Sequence, residues 1–317
     1  IEETYYFRWW TYRKHIKNTD DGFVITEFLP KVFWSGKHNT INCPAAHHIY
    51  EGRWLKDPKY VSEYINFWLE NSGDGIRQYS FWVADATLAF NNIHRNDSIL
   101  SNQLEPLIKN YNQWGKIRRD EGKSLYFQWD LADGMEVTAS GRILNNGVSK
   151  FQVEATRPTI NSYMYGDAKA ISKISNITNN FDKAMEFENK ANTIKQKLQS
   201  RLWNKELNFF TVLPKDYDKT TKPLNVRELI GYVPWYFNLP DDKPEYALAW
   251  NKIKDSTGFS APIGLTVTEQ SHPFFEVSYE DWECQWNGPS WPYATTCLLY
   301  TSPSPRDRTR SRMPSSA

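Results

Sequence analysis

The sequence predicts an all-α fold in which helices pair as successive hairpins, the arrangement of an α/α toroid. Apolar residues recur at helical spacing through most regular segments of the 317-residue chain. Strands and helices do not alternate along the chain, and strand-like runs such as FFTVL at 209–213 are brief. The connections are long and rich in Trp, Gly, Asn and Pro, which is typical of loops that carry function. We therefore expect one toroid with its working residues in the loops at one end.

Six segments carry the helical pattern. Residues 58–71 open at Pro58, a favoured first position, and place Val61, Ile65 and Trp68 on one face before SGDG ends the pattern. The other predicted helices are 97–114, 166–178, 180–203, 225–237 and 244–254.

Charge and composition limit the classes of partner. The formal net charge is +1, so the chain lacks the basic excess of many nucleic-acid-binding proteins. No apolar stretch approaches the ~18 residues of a membrane-spanning helix. The three cysteines, Cys43, Cys284 and Cys297, are too few and too far apart for a disulfide framework. We expect neither nucleic acid nor membrane as a partner, and the sequence leaves the cellular compartment open.

Aromatic residues give the strongest compositional signal. The chain has 14 Trp, 18 Tyr and 17 Phe, yet its mean hydropathy is −0.67. Several Trp stand beside short polar residues or Gly, as in FQWD, NQWG and QWNGPSW. Flat rings can contact the C–H faces of a sugar while the polar groups reach its hydroxyls. The same rings could also fill a large core, so both interpretations stay open.

The last 17 residues, TSPSPRDRTRSRMPSSA, differ from the rest of the chain. They contain no Leu, Ile, Val or aromatic residue, and they hold four Arg beside one acid, Asp307. Without apolar side chains this segment cannot bury a face. We expect residues 301–317 to be a disordered, non-native tail on a single toroid formed by residues 1–300. The abrupt change after CLLY predicts that this toroid is incomplete at its C-terminal end.

Residues 125–141, LYFQWDLADGMEVTASG, combine carboxylates with aromatic rings in a stretch too irregular for a helix. Asp130, Asp133 and Glu136 lie close together behind Trp129. An ordinary capped loop would also use these residue types. Hydrolysis of an acetal needs a proton on the leaving oxygen, and burial among apolar side chains lets a carboxyl keep its proton near neutral pH. The segment is therefore a candidate acid beside a sugar platform.

Two later segments have the residues of helix starts and rigid turns. RPTINSYMYGDAKA at 157–170 puts short polar residues at a helix start, which capping alone would explain. WECQWNGPSWPYATTC at 282–297 contains Pro289 and Pro292, which exclude a helix interior across the turn and fix its backbone. This turn suits a binding wall and a structural corner equally.

In this order, the motifs resemble glycoside hydrolase family 63 and the related mannosylglycerate hydrolases and trehalases of the same clan. DGMEVTAS at 133–140 is similar to S-G-(Met/Trp)-D-(Asn/Phe)-S, and PTINSYMY at 158–165 to V-D-L-N-x-x-(Leu/Ile)-Y. LWNKELNFF at 202–210 and WNGPSW at 286–291 resemble the family's L-W-(Asp/Asn) helix end and W-R-G-P-x-W. VFWSGKHN at 32–39 is more weakly similar to an aromatic-Trp-aspartate motif of the family. The resemblance spans about residues 30–300 and implies an incomplete (α/α)₆ toroid and an inverting glycoside hydrolase.

The resemblance implies that Glu136 is the catalytic acid, at a position where the family has Asp. Asp133 is the alternative acid, or a like charge that raises the pKa of Glu136. Asn287 stands in place of the Arg of W-R-G-P, and Thr159 in place of the Asp of V-D-L-N, whereas Asn161 is kept. These departures indicate a different sugar or linkage, so glucose specificity is not carried over.

The catalytic base of the resembling family is a Glu downstream of W-R-G-P-x-W. Here the native-looking sequence stops at about Tyr300, and the tail contains no Glu. We therefore expect the base to be missing from this chain and the chain by itself to be inactive. Acids just upstream could substitute if one of them faced Glu136. They are Glu276, Glu280, Asp281 and Glu283.

Further residues on these motifs complete the predicted site. The predicted substrate-binding residues are Trp34, Trp129, Arg157, Asn161, Tyr163, Trp286, Asn287 and Trp291. We predict a carbohydrate substrate and no cofactor. Cys43, His47 and His48 form a compact set, but no second ligand pair at a metal spacing follows, so we predict no metal either.

Two alternative functions remain open. An α/α toroid can also host a polysaccharide lyase, whose carboxylate neutraliser and base would come from Asn42, His47, His48, Tyr50 and Arg53. An unsaturated, ultraviolet-absorbing product would identify that activity. A non-catalytic carbohydrate-binding domain would keep the Trp walls, and Glu136→Gln would leave its binding intact.

Overall fold

Helices make up most of the regular structure. The computed structural model describes residues 1–120, 122–148, 152–278 and 284–301. Its α-helices are α1 (Glu2–His15), α2 (Ala45–Gly52), α3 (Lys59–Asn66), α4 (Val83–His94), α5 (Asp97–Arg118), α6 (Ala139–Leu144), α7 (Pro158–Ile177), α8 (Phe181–Arg201), α9 (Val233–Tyr236), α10 (Pro244–Ala247) and α11 (Pro292–Thr301).

The strands of the described residues are short and form small, separate sheets. They are β1 (Ile16–Thr19), β2 (Gly22–Ile25), β3 (Phe127–Trp129), β4 (Val137–Thr138), β5 (Glu154–Thr156), β6 (Trp203–Asn204), β7 (Phe209–Phe210), β8 (Leu213–Pro214) and β9 (Gln285–Trp286). β1 and β2 form an antiparallel hairpin, as do β6 and β7. β5 lies between β3 and β8 in an antiparallel sheet. β4 and β9 pair in parallel although they are far apart in the sequence.

Helix α7 lies at the centre of the fold. Of its 20 residues, 16 are buried, because α8, α4, α5 and α9 all pack against it. A helix covered on every side must be apolar or have its polar groups hydrogen-bonded. Ser172 Oγ accordingly donates to the carbonyl of Ala184 on α8 at 2.8 Å. Gly166 is required because a Cβ there would collide with the ring of Phe237.

The start of α7 is tied to the strand that precedes the carboxylate-rich loop. The side-chain amide of Asn161 donates to the carbonyls of Tyr126 and Arg157 at 2.9 and 2.8 Å. Its Oδ1 accepts the Tyr126 N–H at 2.8 Å. One buried amide therefore satisfies backbone groups on both segments and fixes their relative position.

Four of the six predicted helices, 58–71, 97–114, 166–178 and 180–203, are confirmed in place with different ends. Residues 58–71 form α3 and a π-helical turn at Phe67–Asn71, and 97–114 is α5. α7 begins at Pro158, upstream of the predicted 166, because its short polar residues are buried and hydrogen-bonded within the helix. In segment 225–237, only the 3₁₀ helix Leu229–Tyr232 and the single turn of α9 are helical. In segment 244–254, the single turn of α10 is followed by the 3₁₀ helix Leu248–Ile253. The periodicity does not predict α1, because none of its residues is buried.

Two further predictions concern the tail and the membrane. Residues 301–317, predicted to be a disordered tail, lie outside the described residues except for Thr301, the last residue of α11. Among the described residues, no helix combines the length and apolar character needed to cross a bilayer.

We predict that Asn161→Ala lowers the free energy of unfolding by about 2–4 kcal/mol, because it leaves the buried backbone groups of Tyr126 without partners. Asn189→Ala, on the exposed side of α8, is the matched control and should change stability by no more than about 0.5 kcal/mol. Urea titration followed by circular dichroism measures both values. Equal effects of the two substitutions would contradict the role given to Asn161.

Candidate active site

The loop that carries Glu136 is shaped by Asp130 and Gly134. Asp130 Oδ1 accepts the backbone N–H groups of Leu131 and Val153, each at 3.0 Å, which closes the loop onto the start of β5. Gly134 adopts φ +78°, and a Cβ there would lie 2.6 Å from Cys43 Sγ. Glycine therefore allows both the turn and the close approach to Cys43. The chain then enters β4, so Glu136 lies immediately before the first residue of that strand.

An aromatic cluster from the other half of the chain contacts Glu136 through Trp286. Parallel pairing aligns Thr138 of β4 with Trp286 of β9. The indole N–H of Trp286 donates to Glu136 Oε2 at 2.8 Å. The Trp286 ring stacks on Trp291 at 4.5 Å between centroids with 12° between planes, and Tyr293 meets its edge at 6.2 Å. A partly exposed carboxyl thus lies against an aromatic wall, and the structure brings Glu136, Trp286 and Trp291 together.

Asp133 has a different environment from Glu136. Its side chain is 0% exposed and pairs with the guanidinium of Arg157, which is 1% exposed, at 2.9 Å. Ser80 Oγ donates to Oδ1 at 2.5 Å, and Thr159 Oγ1 donates to Oδ2. Because every oxygen of this carboxylate is engaged by a buried donor, the environment favours a structural role. Its predicted part in catalysis stays a prediction.

Arg157 is enclosed by negative charge. Burial lowers the pKa of its guanidinium, but the carboxylates of Asp133, Glu228 and Asp130 raise it by more, so that the net shift is upward. Glu228 also accepts the backbone N–H of Ser140 at 3.0 Å, at the start of α6. The cluster therefore links α6, α7 and the Glu136 loop.

Three other predicted binding residues are buried. Asn161 has the backbone role described above. Tyr163 stacks on Trp82, with 4.4 Å between ring centroids and 30° between planes. Asn287 donates to the carbonyl of Phe274 at 3.0 Å. Their predicted contact with substrate stays a prediction, and the observed contacts fix the wall behind the site.

Trp34 and Trp129 lie apart from the stacked pair. Trp34 is 44% exposed and makes edge contacts with Phe28 and Phe33. Trp129 lies on β3 beneath the guanidinium of Arg118, which is 4.5 Å from the ring centroid. Trp34 is therefore the more accessible ring for a ligand.

The structure adds a residue to this neighbourhood that the sequence does not single out. Glu27 follows β2, and burial, then the negative charge of Glu136, raise the pKa of its carboxyl. The same two carboxyls raise the pKa of Tyr79 and of Cys43, where burial is the main cause. The segment ITEFLP contains no motif that would identify Glu27, because the position of this residue depends on the fold of the first 45 residues.

The residues proposed for the alternative lyase and zinc sites each make separate structural contacts. His47 lies between Trp82 and Tyr293, at 5.0 and 5.5 Å, and burial lowers its pKa to about 4. Asn42 Nδ2 donates to the carbonyls of Ile76 and Tyr79. The hydroxyl of Tyr50 donates to Asp85, and the Arg53 guanidinium lies 4.6 Å from the Tyr50 ring. His48 packs against Tyr64. Within the described part of the chain, no three His, Cys, Asp or Glu residues could jointly hold a metal.

Of the acids considered as a substitute base, Glu276 packs against the turn beside Trp286, where its Oε2 accepts from Asn287 Nδ2 at 3.5 Å and its backbone N–H donates to the carbonyl of Asn287 at 3.3 Å. Its Oε2 accepts from Arg142 at 2.8 Å, and both side chains are largely shielded from solvent. Glu280, Asp281 and Glu283 lie outside the described residues.

Comparison with known families identifies the chain. The profile of the mannosylglycerate hydrolase MGH1-like glycoside hydrolase domain matches residues 37–301. The chain belongs to this family. The resemblance inferred from the motifs is therefore confirmed. A comparison with curated proteins gives no match.

Solved structures similar to this MGH1-like domain share its fold. A structure named sialidase is 40% identical with a TM-score of 0.86, and the match covers 95% of this chain but only 27% of that one. A GH63 mannosylglycerate hydrolase from Thermus thermophilus in complex with glucose is 14% identical with a TM-score of 0.61, covering 81% and 78%. Neutral trehalase Nth1 from Saccharomyces cerevisiae is 13% identical with a TM-score of 0.57, covering 87% and 62%. The predicted (α/α)₆ toroid class is confirmed.

We predict that Asp133→Asn destabilises the MGH1-like domain by about 3–5 kcal/mol, because it leaves the buried Arg157 charge without its carboxylate. Glu136→Gln should cost less than about 1 kcal/mol, since a partly exposed amide oxygen can still accept from Trp286. Asp216→Asn, at an exposed position, is the control for loss of a carboxylate. Chemical denaturation measures all three. An Asp133→Asn variant as stable as the control would show that the pair does not hold the site.

Proposed function

We propose that this domain is a glycoside hydrolase that acts with inversion on an oligosaccharide or small glycoside, with Glu136 as the general acid. The observation that carries the proposal is the Glu136 carboxyl, held by Trp286 against stacked indole rings. By the motif resemblance it corresponds to the family's catalytic acid, and the chain matches the family over residues 37–301.

The geometry suits proton delivery to a glycosidic oxygen. Glu136 is partly exposed, so a leaving oxygen can approach it, whereas Asp133 is enclosed. The hydrogen bond from Trp286 fixes the direction of the carboxyl, and the indole faces offer an apolar surface for a sugar ring. Inversion also needs a carboxylate to activate water, at roughly 6.5–9.5 Å from the acid.

A panel of glycosides tests which class of sugar the domain hydrolyses. The structures named sialidase, mannosylglycerate hydrolase and trehalase carry the names of three different activities. In this chain Asn287 and Thr159 replace two polar residues of the family motifs. A hydrolysis panel should therefore include sialylated glycans, mannosylglycerate and trehalose beside common oligosaccharides.

We predict that Glu136→Gln lowers kcat/KM about 10²- to 10⁴-fold on substrates whose leaving group needs a proton. Aryl glycosides with good leaving groups should lose much less, because their departure does not depend on the acid. Because this chain by itself is expected to lack the base, initial rates on the two substrate classes measure this difference in a version of the domain that carries it, with the exposed Glu206→Gln as the control.

The anomeric form of the first product, read by NMR, tests the stereochemistry. A retained anomer, or equal losses on both substrate classes, would contradict the proposal. Binding of a sugar without turnover by a version of the protein that carries its catalytic base would identify a carbohydrate-binding domain instead.

A further inference from the structure

We propose that the domain has a second carbohydrate-binding site, a cavity between α2, α4, α7 and α9 that takes one neutral pyranose unit. The cavity has a volume of about 370 Å³, and its walls include the rings of Tyr50, Tyr165, Tyr236 and Phe237. This volume falls within the range of roughly 300–1,000 Å³ that small-molecule sites occupy. The inference does not depend on the proposed hydrolysis, because it concerns binding at another place in the fold.

The cavity lies well away from the proposed active site. Between Arg157 and Lys173, which lines the cavity, α7 advances by about 24 Å at its rise of ~1.5 Å per residue. The Trp82 ring connects the two regions, since it contacts Tyr236 of the cavity at 6.0 Å and His47, behind the site wall, at 5.0 Å. A ligand in the cavity is therefore distinct from one bound at the proposed acid.

Asp85 supplies the cavity with a negatively charged acceptor. Its backbone N–H donates to Asp167 Oδ1 at 3.0 Å, which fixes the first turn of α4 against α7. Its carboxyl accepts the hydroxyl of Tyr50, and the residue is partly exposed where it lines the cavity. Burial raises the pKa of Asp85 to about 6, so the carboxyl carries its charge at neutral pH. A carboxylate in this position can accept hydrogen bonds from neighbouring hydroxyls of a sugar.

Aromatic rings form a continuous wall beside this carboxylate. The ring centroids of Tyr50 and Tyr236 are 6.0 Å apart, and those of Tyr236 and Phe237 are 4.6 Å apart. Phe237 lies directly on the backbone of α7, because a Cβ on Gly166 would be only 2.2 Å from its ring. Tyr236 and Phe237 are both partly exposed. Such rings offer an apolar surface to the C–H face of a pyranose.

Two lysines of α7 complete the lining. Tyr165, Lys169 and Lys173 are spaced four residues apart and so share one face of the helix. Lys169 Nζ donates to both carboxylate oxygens of Glu188, at 2.7 and 2.8 Å, which balances its charge. Lys173 is exposed, and its positive charge acts on Asp85. The ammonium group of Lys173 is therefore available as a donor to a sugar hydroxyl.

The charge of the lining favours an uncharged ligand. With Lys169 balanced, the described residues that line the cavity carry a negative charge on Asp85 and a positive charge on Lys173. Arg53 also acts on Asp85, but it lies behind the lining residues. An anionic ligand would be repelled by the carboxylate and a cationic one by the ammonium group. A neutral sugar can donate to the first, accept from the second and place its C–H face on the rings.

Saturation-transfer NMR tests the site with the methyl α-glycosides of glucose, mannose and galactose as separate probes. At least one of them should bind the unsubstituted chain. Asp85→Asn should weaken that binding about tenfold or more, because it removes a charged acceptor. Lys173→Gln, at an exposed position, should weaken it about three- to tenfold. Asp216→Asn is the matched control for loss of a carboxylate and should leave the binding unchanged.

Trp286→Ala distinguishes the cavity from the proposed active site. Binding that depends on Asp85 should persist in this variant. A signal that is lost in Trp286→Ala and kept in both cavity variants would place the sugar at the active site alone and would overturn the inference. The absence of binding by all three probes would overturn it as well. Tighter binding of glucuronic acid than of the neutral glycosides would show that the assignment to a neutral sugar is wrong.

Thermal melting of each variant shows that it is folded. Should Asp85→Asn fail to fold, Lys173→Gln decides the outcome, because unchanged binding in that variant contradicts the proposed lining. A version of the domain that carries its base and hydrolyses no glycan, yet binds a glycoside through Asp85, would contradict the proposed function and leave the second site standing.

Discussion

The buried ion pair between Arg157 and Asp133 is the contact on which the site depends. Removing two charges from water is costly, and the attraction between them compensates only when the geometry is close and the remaining polar groups are satisfied. Here Ser80 and Thr159 supply the further donors to Asp133. The pair therefore allows one arrangement of the start of α7 and the loop before β4. Glu136 follows Asp133 closely in the sequence, so its backbone position depends on that arrangement.

The aromatic residues are divided between the core and the proposed wall of the site. Trp82 and Trp114 are fully buried and fill the core. Trp286 and Trp291 stack on each other beside Glu136. His47 and Tyr293 connect these two groups through ring-edge contacts. The rings of the core and the rings of the site wall are thus in continuous contact. A substitution that changes the size of a side chain in one would therefore shift the packing of the other.

The sequence predicts the fold class and the acid loop better than it predicts the wall around them. Periodicity locates α5 and α8 because each presents one apolar stripe. It cannot locate the start of α7, whose polar residues are buried by tertiary contacts that no local pattern reveals. The motif resemblance points to Glu136 and Trp286, whose side chains are hydrogen-bonded in the structure. It cannot separate Asp133 from Glu136, since their difference in burial is set by Arg157, which is remote in the sequence. Glu27 has no local signal at all.

The bond between Glu136 and Trp286 joins residues 150 positions apart in the sequence. Closing so long a loop costs chain entropy, and contacts of this kind form after local helices and hairpins. During synthesis the Glu136 loop leaves the ribosome well before Trp286, so the carboxyl gains its indole partner late. Local opening of the β9 segment would likewise release the acid while α7 and α8 stay packed. The helical core and the hydrogen bond to Glu136 are therefore separable in time, and a chain can form α7 and α8 before the proposed catalytic carboxyl is held in place.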